Sequence, residues 1–363
     1  MKRVRDFGMV GNDDHSVELF AHAFGSIRKR KFSMSEEKSS VKLASGLWIG
    51  VDIGGTKTAV VLCTEPPVIV QRIAFPTLPE RGPDHALKLI RRAIHQLIQT
   101  HKLLTEQIEA IGISCGGPLD RKRGVIQAPP NLPTWNEVPI VDLLKEEFEV
   151  ECRLENDANA GGVAEHRFGA GQGVQNMIFL TMGTGLGAGI IIGGRLYHGA
   201  SDMAGEIGHV RLTPAGPVGY NKAGSVEGWA SGGGMARAAS DRVSAAMKKG
   251  EVTSLVAQLA TNRILTAKDV ADAARQGDGL AREIVCSTGT RLGEALAILV
   301  DLLNPELIVI GGIAMRMGES LLEPARAAMK RESLPASAQA CRVVPAALGE
   351  CIGDIAAVCV AMG

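Results

Sequence analysis

The pair Asn156-Asp157 combines a carboxamide with a carboxylate at the end of a short apolar strand. Phosphoryl transfer to an alcohol needs a group that accepts the hydroxyl proton, and a carboxylate beside an amide offers a base and a positioning hydrogen bond. The same aspartate could cap a helix, because Ala-Asn-Ala follows it. One carboxylate cannot serve both roles fully. Gly205-Glu206-Ile-Gly-His209 sets a carboxylate and an imidazole around a glycine, and Gly224-Ser-Val-Glu227 adds a second carboxylate. Side chains of these types can each bridge neighbouring hydroxyls of a polyol. His209 could instead be a core or zinc histidine, but no other histidine or cysteine stands close by in sequence.

Two glycine-rich turns accompany these residues. Asp52-Ile-Gly-Gly-Thr-Lys57 places Gly54 and Gly55 between two apolar runs. Glycine lets the backbone approach a ligand and aim its N–H groups inward as an anion nest. Thr56 and Lys57 add a hydroxyl and a charge. Asp52 would repel phosphate, so it makes sense as a water-mediated partner of Mg²⁺. The second turn is Gly183-Thr184-Gly185-Leu-Gly187-Ala-Gly189. It matches the spacing of a dinucleotide fingerprint, which requires a following helix. Here Ile190-Ile-Ile follows, which is strand-like, so a phosphate turn is the better reading. Gly311-Gly312 after an apolar strand would suit backbone approaching a flat base. No Gly-x-x-x-x-Gly-Lys-[Ser/Thr] pattern occurs.

The elements that must carry these residues alternate between strand and helix. Trp48–Leu62 reads as strand, turn, strand. Residues 84–102 form a helix with Leu87, Ile90, Ile94, Leu97 and Ile98 at helical spacing. Ile108–Ser114 is a strand, Pro139–Phe148 a helix, and Glu151–Leu154 a strand ending at Asn156-Asp157. Met177–Ile192 repeats the opening pattern. Leu292, Leu296, Leu299 and Leu303 mark one face of a helix stopped by Asn304-Pro305. Glu306–Ile310 is a buried strand, and a small apolar helix closes the chain at about 353–361, packing back on the first half. The expectation is an α/β protein of two related units, each opening with a glycine-turned hairpin. The lobes would be 46–155 and 156–345, with 346–363 returning to the first.

Composition narrows the class. The chain has 363 residues, 39 basic and 39 acidic, with 44 glycines and 4% aromatics. Zero net charge gives no sign of a nucleic acid or membrane partner. The seven cysteines are widely spaced, which reads as reduced thiols in a cytoplasmic protein. No apolar run is long enough to span a bilayer. Residues 1–45 carry the basic run Arg28-Lys-Arg-Lys31 and read as a disordered extension, or as sequence ahead of a true start at Met34.

Together these motifs resemble the ROK family of the actin-like ATPase (ribonuclease H-like) superfamily. They are Asp-Ile-Gly-Gly-Thr-Lys at 52–57, Gly-Gly-Pro-Leu-Asp at 116–120, Pro-Asn-Leu-Pro-Thr-Trp at 130–135 and Asn-Asp-Ala-Asn-Ala at 156–160. Gly-Thr-Gly-Leu-Gly at 183–187, Gly-Glu-Ile-Gly-His at 205–209 and Glu-Gly-Trp-Ala-Ser-Gly at 227–232 complete the set. The resemblance implies two lobes around a central cleft and MgATP-dependent phosphorylation of a hexose at its terminal hydroxyl. Glucose comes first, then N-acetylmannosamine or fructose. It makes Asp157 the base, with Asn156, Glu206, His209 and Glu227 holding the sugar, helped by Gly117 and Asn131. The two glycine turns and Gly311-Gly312 would hold ATP, and a homodimer is implied. Many members bind zinc through three cysteines and the histidine equivalent to His209. Those three positions are here Val218, Tyr220 and Ser225, so no structural zinc is expected and the loop 213–224 must be held by packing, with Tyr220 a candidate. Thr134 stands where the family often has glycine. Sugar-responsive regulators of the family carry a DNA-binding domain of several dozen residues ahead of the kinase-like part. Only about 45 residues precede it here, without a helix-turn-helix pattern.

Overall fold

A computed structural model of the chain describes residues 46–256 and 264–363. The expectations for 1–45 lie outside the described residues. The first sheet grows from the opening hairpin. Strand β1 (Leu47–Ile53) turns at Gly54-Gly55 into β2 (Lys57–Cys63), and β3 (Ile69–Pro76) pairs antiparallel with β2. Helix α1 (Pro83–His101) returns the chain so that β4 (Ile108–Cys115) runs parallel to β1. A small hairpin, β5 (Leu119–Asp120) and β6 (Val125–Ile126), and helix α2 (Ile140–Phe148) lead to β7 (Cys152–Asn156), parallel to β4. The strand order is β3-β2-β1-β4-β7. Leu47, Ile49, Val51 and Ile53 of β1 pack with α1 on one face, while Val61 and Cys63 of β2 meet Val358 on the other. Burial on both faces is why these strands are apolar almost throughout.

Helix α3 (Asp157–Phe168) leads into the second sheet, which repeats the plan. Strands β8 (Met177–Met182), β9 (Leu186–Ile192) and β10 (Arg195–Leu196) form the antiparallel part. A hairpin of β11 (Val218–Gly219) and β12 (Lys222–Ala223) precedes a helical run. That run comprises α4 (Val226–Ala230), α5 (Gly232–Lys249), α6 (Ala267–Arg275) and α7 (Gly279–Leu303). Then β13 (Leu307–Gly312) joins β8 in parallel. Helices α8 (Ala314–Met317), α9 (Glu319–Glu332) and α10 (Pro335–Ala340) precede β14 (Arg342–Pro345), parallel to β13. The order β10-β9-β8-β13-β14 is that of the first sheet in the same sequence of connections. Helix α7 ends as expected, with Asn304 in the left-handed region at φ 44°. Leu292, Leu296 and Leu299 are buried, but Leu303 is 38% exposed because the last turn projects beyond the core.

The closing helix, α11 (Ile352–Met362), returns to the first sheet, as the small apolar residues suggested. Gly112 and Gly50 permit its approach: a Cβ on Gly112 would stand 2.2 Å from Ala357 O. On its other side Ile355, Ala356, Cys359 and Val360 meet Ala160 and Ala164 of α3. Helix α3 in turn rests on the second sheet, where Gly161 lies against Phe179. The layers therefore run first sheet, α11, α3, second sheet. This stack fixes the start of α3 at the junction of the two halves. Each large side chain it buries contributes roughly 1.5–3 kcal/mol. Gly112→Ala would force α11 off the sheet.

Candidate active site

Asn156, not Asp157, caps α3. Its Oδ1 accepts the backbone N–H groups of Ala158 (2.9 Å) and Asn159 (3.3 Å). Asp157 is the first helical residue and accepts from Ala158 N through Oδ1 at 2.8 Å. Its Oδ2 lies over Gly116, 3.9 Å from where a Cβ would stand. Because Asn156 takes the cap, the Asp157 carboxylate is left with one oxygen free of it. Its side chain opens to solvent, yet protein surrounds it closely on the remaining sides. Burial raises its pKa above the usual aspartate range, and the N–H groups of Ala158 and of Asp157 itself oppose the rise.

The loop after β4 brings the next residues in. A Cβ on Gly117 would sit 3.3 Å from Asn156 Nδ2, and one on Gly116 3.5 Å from Asn131 Oδ1. A Cβ on Gly55, in the first glycine turn, would sit 2.8 Å from Asn131 Cβ. Gly55, Asn131, Gly116 and Asp157 thus form one continuous surface. Thr134, the departure from the family pattern, uses its hydroxyl to donate to Pro79 O at 3.1 Å. From the other half, Glu206 starts a short turn, Ile207–His209, with His209 N donating to Glu206 O at 3.1 Å. Burial raises the Glu206 pKa, the charges of Glu227 and Asp157 raise it further, and His209 lowers it. Glu227 Oε2 accepts Leu186 N at 3.2 Å, beside Gly185 of the second turn. The carboxylates, amides and imidazole singled out in the sequence therefore come together at the junction of the two halves, where Glu206 feels the charges of His209, Glu227 and Asp157.

The loop expected to lack zinc is held by a different set of contacts. Ser225 Oγ caps α4 by accepting Gly228 N at 3.2 Å. Val218 and Lys222 belong to the β11–β12 hairpin, whose turn residues Tyr220 and Asn221 both take positive φ, 41° and 61°. Tyr220 is exposed and sets its ring edge-on to His209, with centroids 6.0 Å apart. The centre of the loop is Trp229, which the sequence reading passed over. Its Nε1 donates to Thr213 Oγ1 at 2.8 Å, Gly216 lies against its ring, and the Arg291 guanidinium stacks 4.7 Å from its centroid. The Glu-Gly-Trp motif was a usable signal, since Trp229 follows Glu227 by two residues.

The glycine turns are both strand–turn–strand, as the Ile190-Ile-Ile run implied, which leaves no helix for a dinucleotide fingerprint. In the first, Gly54 N donates to Lys57 O at 3.0 Å, and Thr56 and Lys57 are exposed. Asp52 is pushed up to about 7 by burial and by the charges of Asp157 and Asp354, against Arg72 and Lys57. Asp354 and Arg72, joined at 2.7 Å, were not legible because 282 residues separate them. Gly353 lies against Asp52, where a Cβ would stand 2.4 Å from Oδ2. In the second turn, the carbonyls of Gly183 and Thr184 accept Gly232 N (2.8 Å) and Gly233 N (3.2 Å) from the start of α5. Ser231 Oγ takes Gly234 N at 2.9 Å. The first N–H groups of α5 are thereby spent on bracing the turn. Of the third glycine pair, Gly311 is buried against Phe179 and serves packing, while Gly312 is exposed with φ 70°. Among the described residues no group of three or more His, Cys, Asp or Glu could hold a metal ion by itself.

Two sheets of identical order, each with a glycine-turned hairpin and a carboxylate at the junction, define the actin-like ATPase fold. The chain belongs to the ROK family, whose model matches residues 48–362. A glucokinase of Halalkalibacterium halodurans is 34% identical over 310 residues, 85% of this chain and 92% of that one. An N-acetylglucosamine repressor of Escherichia coli is 30% identical over 293 residues, 79% of this chain and 68% of the repressor. A crystal structure of a ROK family glucokinase from Streptomyces griseus, in complex with glucose and AMPPNP, superposes with a TM-score of 0.74 at 33% identity. It covers 87% of this chain and 99% of that one.

Proposed function

We propose that this protein is an ATP-dependent glucokinase that transfers the γ-phosphoryl group to the terminal hydroxyl of glucose, with Asp157 as the base. The observation that carries the reading is the capping of α3 by Asn156, which leaves Asp157 Oδ2 facing the cleft beside Gly116. A carboxylate with a raised pKa is a better proton acceptor than an ordinary one. Asn131, Asn156, Glu206, His209 and Glu227, with the backbone at Gly117, hold the sugar hydroxyls and orient the nucleophile. The turns at Gly54–Lys57 and Gly183–Gly187, with Gly312, hold ATP. Catalysis draws chiefly on positioning and electrostatics.

Asp52 fits Mg²⁺ on its chemistry: it is a hard oxygen donor whose carboxyl is pushed up to about 7 by burial and then by the charges of Asp157 and Asp354, the setting in which a cation is favoured. The ion would neutralise phosphate charge there. Lys57 and Thr56 would meet the phosphates from the protein side. The loop 213–224 needs no zinc, since Trp229 and the Ser225 cap supply its framework. We place the boundary between the lobes at Glu155/Asn156 and read the protein as a cytoplasmic homodimer. Among the described residues no helix is long and apolar enough to cross a membrane.

A coupled assay over a panel of hexoses tests the reading. Glucose should give the highest kcat/KM, while a preference for N-acetylmannosamine or fructose would reassign the sugar. Asp157→Asn should lower kcat by about two orders of magnitude or more with an unchanged circular dichroism spectrum. Near-normal turnover in that variant would remove Asp157 as the base.

A further inference from the structure

Glu155 immediately precedes the Asn156-Asp157 pair and is buried, with 9% of its surface exposed. Its Oε1 accepts Asn156 N and Asn159 Nδ2, each at 2.9 Å. Its Oε2 lies 2.8 Å from His198 Nε2 and 3.8 Å from Arg121 Nε. The donors come from three parts of the chain. Asn156 and Asn159 belong to the start of α3. Arg121 stands in the β5–β6 hairpin that follows Gly117. His198 follows β10 in the segment leading to Glu206, and its carbonyl accepts Ala204 N at 3.0 Å, closing that segment on itself. Arg121 also reaches across to Asp202 in the same segment, at 3.4 Å.

A buried carboxylate is tolerated when its lone pairs are met by donors, and removing its charge strands those donors. Asn159 is 2% exposed, and among the described residues its Oδ1 has no hydrogen-bond partner and its side-chain amide is held by the bond to Glu155. We infer that Glu155 is a positioning residue: with His198 it locks the start of α3, and hence Asp157, to the segment that presents Glu206. The inference rests on Asp157 being the base. Both oxygens of Glu155 are engaged by protein donors. The residue fixes the distance between the base from the junction and the sugar carboxylate from the second half. The carboxylate, His198 and Arg121 also form part of the wall of a cavity of about 680 Å³, whose lining contains none of the proposed sugar or ATP residues.

The test is a double-mutant cycle on the full chain with Glu155→Gln and His198→Gln. Turnover is normalised to the fraction of chains that bind glucose by calorimetry, so loss of folded protein does not count. Each single variant should lower normalised kcat by about tenfold or more, since small misplacement at a reacting centre is costly. Glucose affinity should stay within about threefold. The double variant should be no slower than the slower single, because both cut the same link. Normalised kcat within about twofold of wild type for Glu155→Gln, or effects that multiply in the double variant, would overturn the inference. If Glu155→Gln does not fold, the half-buried His198→Gln decides alone. An inactive Asp157→Asn alongside a fully active Glu155→Gln would sink this inference only. An active Asp157→Asn would sink the assignment of the base.

Discussion

Strands β1–β2 and β8–β9 are the same hairpin at the same place in two sheets, but their glycine turns are armed differently. The first is charged: Asp52 stands two residues before Gly54, and Lys57 follows the turn. The second has Thr181 at the position of Asp52 and no charged residue through Gly189. What the second lacks in charge it gains in bracing, because its carbonyls are tied to the first N–H groups of α5. The first turn leans instead on Asn131 and Gly353. A repeated topology thus supplies two backbone nests. On the proposed function, Mg²⁺ falls to the first, beside Asp52, and the nucleotide rests on the braced backbone of the second.

Exchanging the charge is the strongest way to break that contrast. Asp52→Asn should lower kcat/KM for MgATP by about 10- to 100-fold, while Thr181→Ala should change it by less than about threefold. Equal losses would abolish the distinction between the turns. The same variant carries a pH signature. In the folded chain Asp52 is raised to about 7, above its unfolded value near 4, so it remains protonated in the fold where the unfolded chain has already lost the proton. Its contribution to stability is fully present below about pH 4 and is lost as pH rises through about 7. The metal-free protein should therefore lose Tm across that window, and Asp52→Asn should flatten the loss. A wild-type Tm that climbs over the window would reverse the assignment.

The bracing of the second turn can be probed by bulk. A Cβ on Gly233 would stand 2.6 Å from Thr184 O, so Gly233→Ala must shift the turn. The KM for ATP should rise roughly three- to tenfold with the glucose KM little changed. A matching rise in the glucose KM would mean that the two sites share the distortion. The smallest effect is expected at the loop beside the second turn. Ser225→Ala removes the α4 cap and should cost about 1 kcal/mol in denaturant unfolding. Metal analysis of the wild type should find well under one zinc per chain. Stoichiometric zinc, or a Ser225→Ala variant of unchanged stability, would refute the account of how that loop is held.

Much of this was legible in the residue order because it depends on neighbours. Glycines between β-branched runs specify both hairpins, helical spacing specifies α1 and most of α7, and Ile190-Ile-Ile excludes the helix a dinucleotide site needs. The rest was hidden where local chemistry left two answers. Residue order offered Asp157 as base or as helix cap, and only the backbone geometry gives the cap to Asn156. The packing of Gly311 against Phe179 was hidden because nothing nearby in sequence points to Phe179. Tyr220 was the visible aromatic in the loop, but its positive φ turns it outward and Trp229 does the packing.

Residue order alone specifies the repeated hairpins, the chemical types gathered around them and the family they belong to. These follow from short-range rules: turn geometry, strand and helix periodicity, and motif spacing. The tertiary structure decided which groups act on which. Arg72 meets Asp354, Gly353 meets Asp52, and Glu155 meets His198 and Arg121 only because α11 and α3 are sandwiched between the sheets. Burial at that junction then raises the carboxyl groups of Asp52 and Asp157, and the charges of Asp157 and Asp354 raise Asp52 further. A local pattern can supply an aspartate, but its proton affinity is set by everything packed around it.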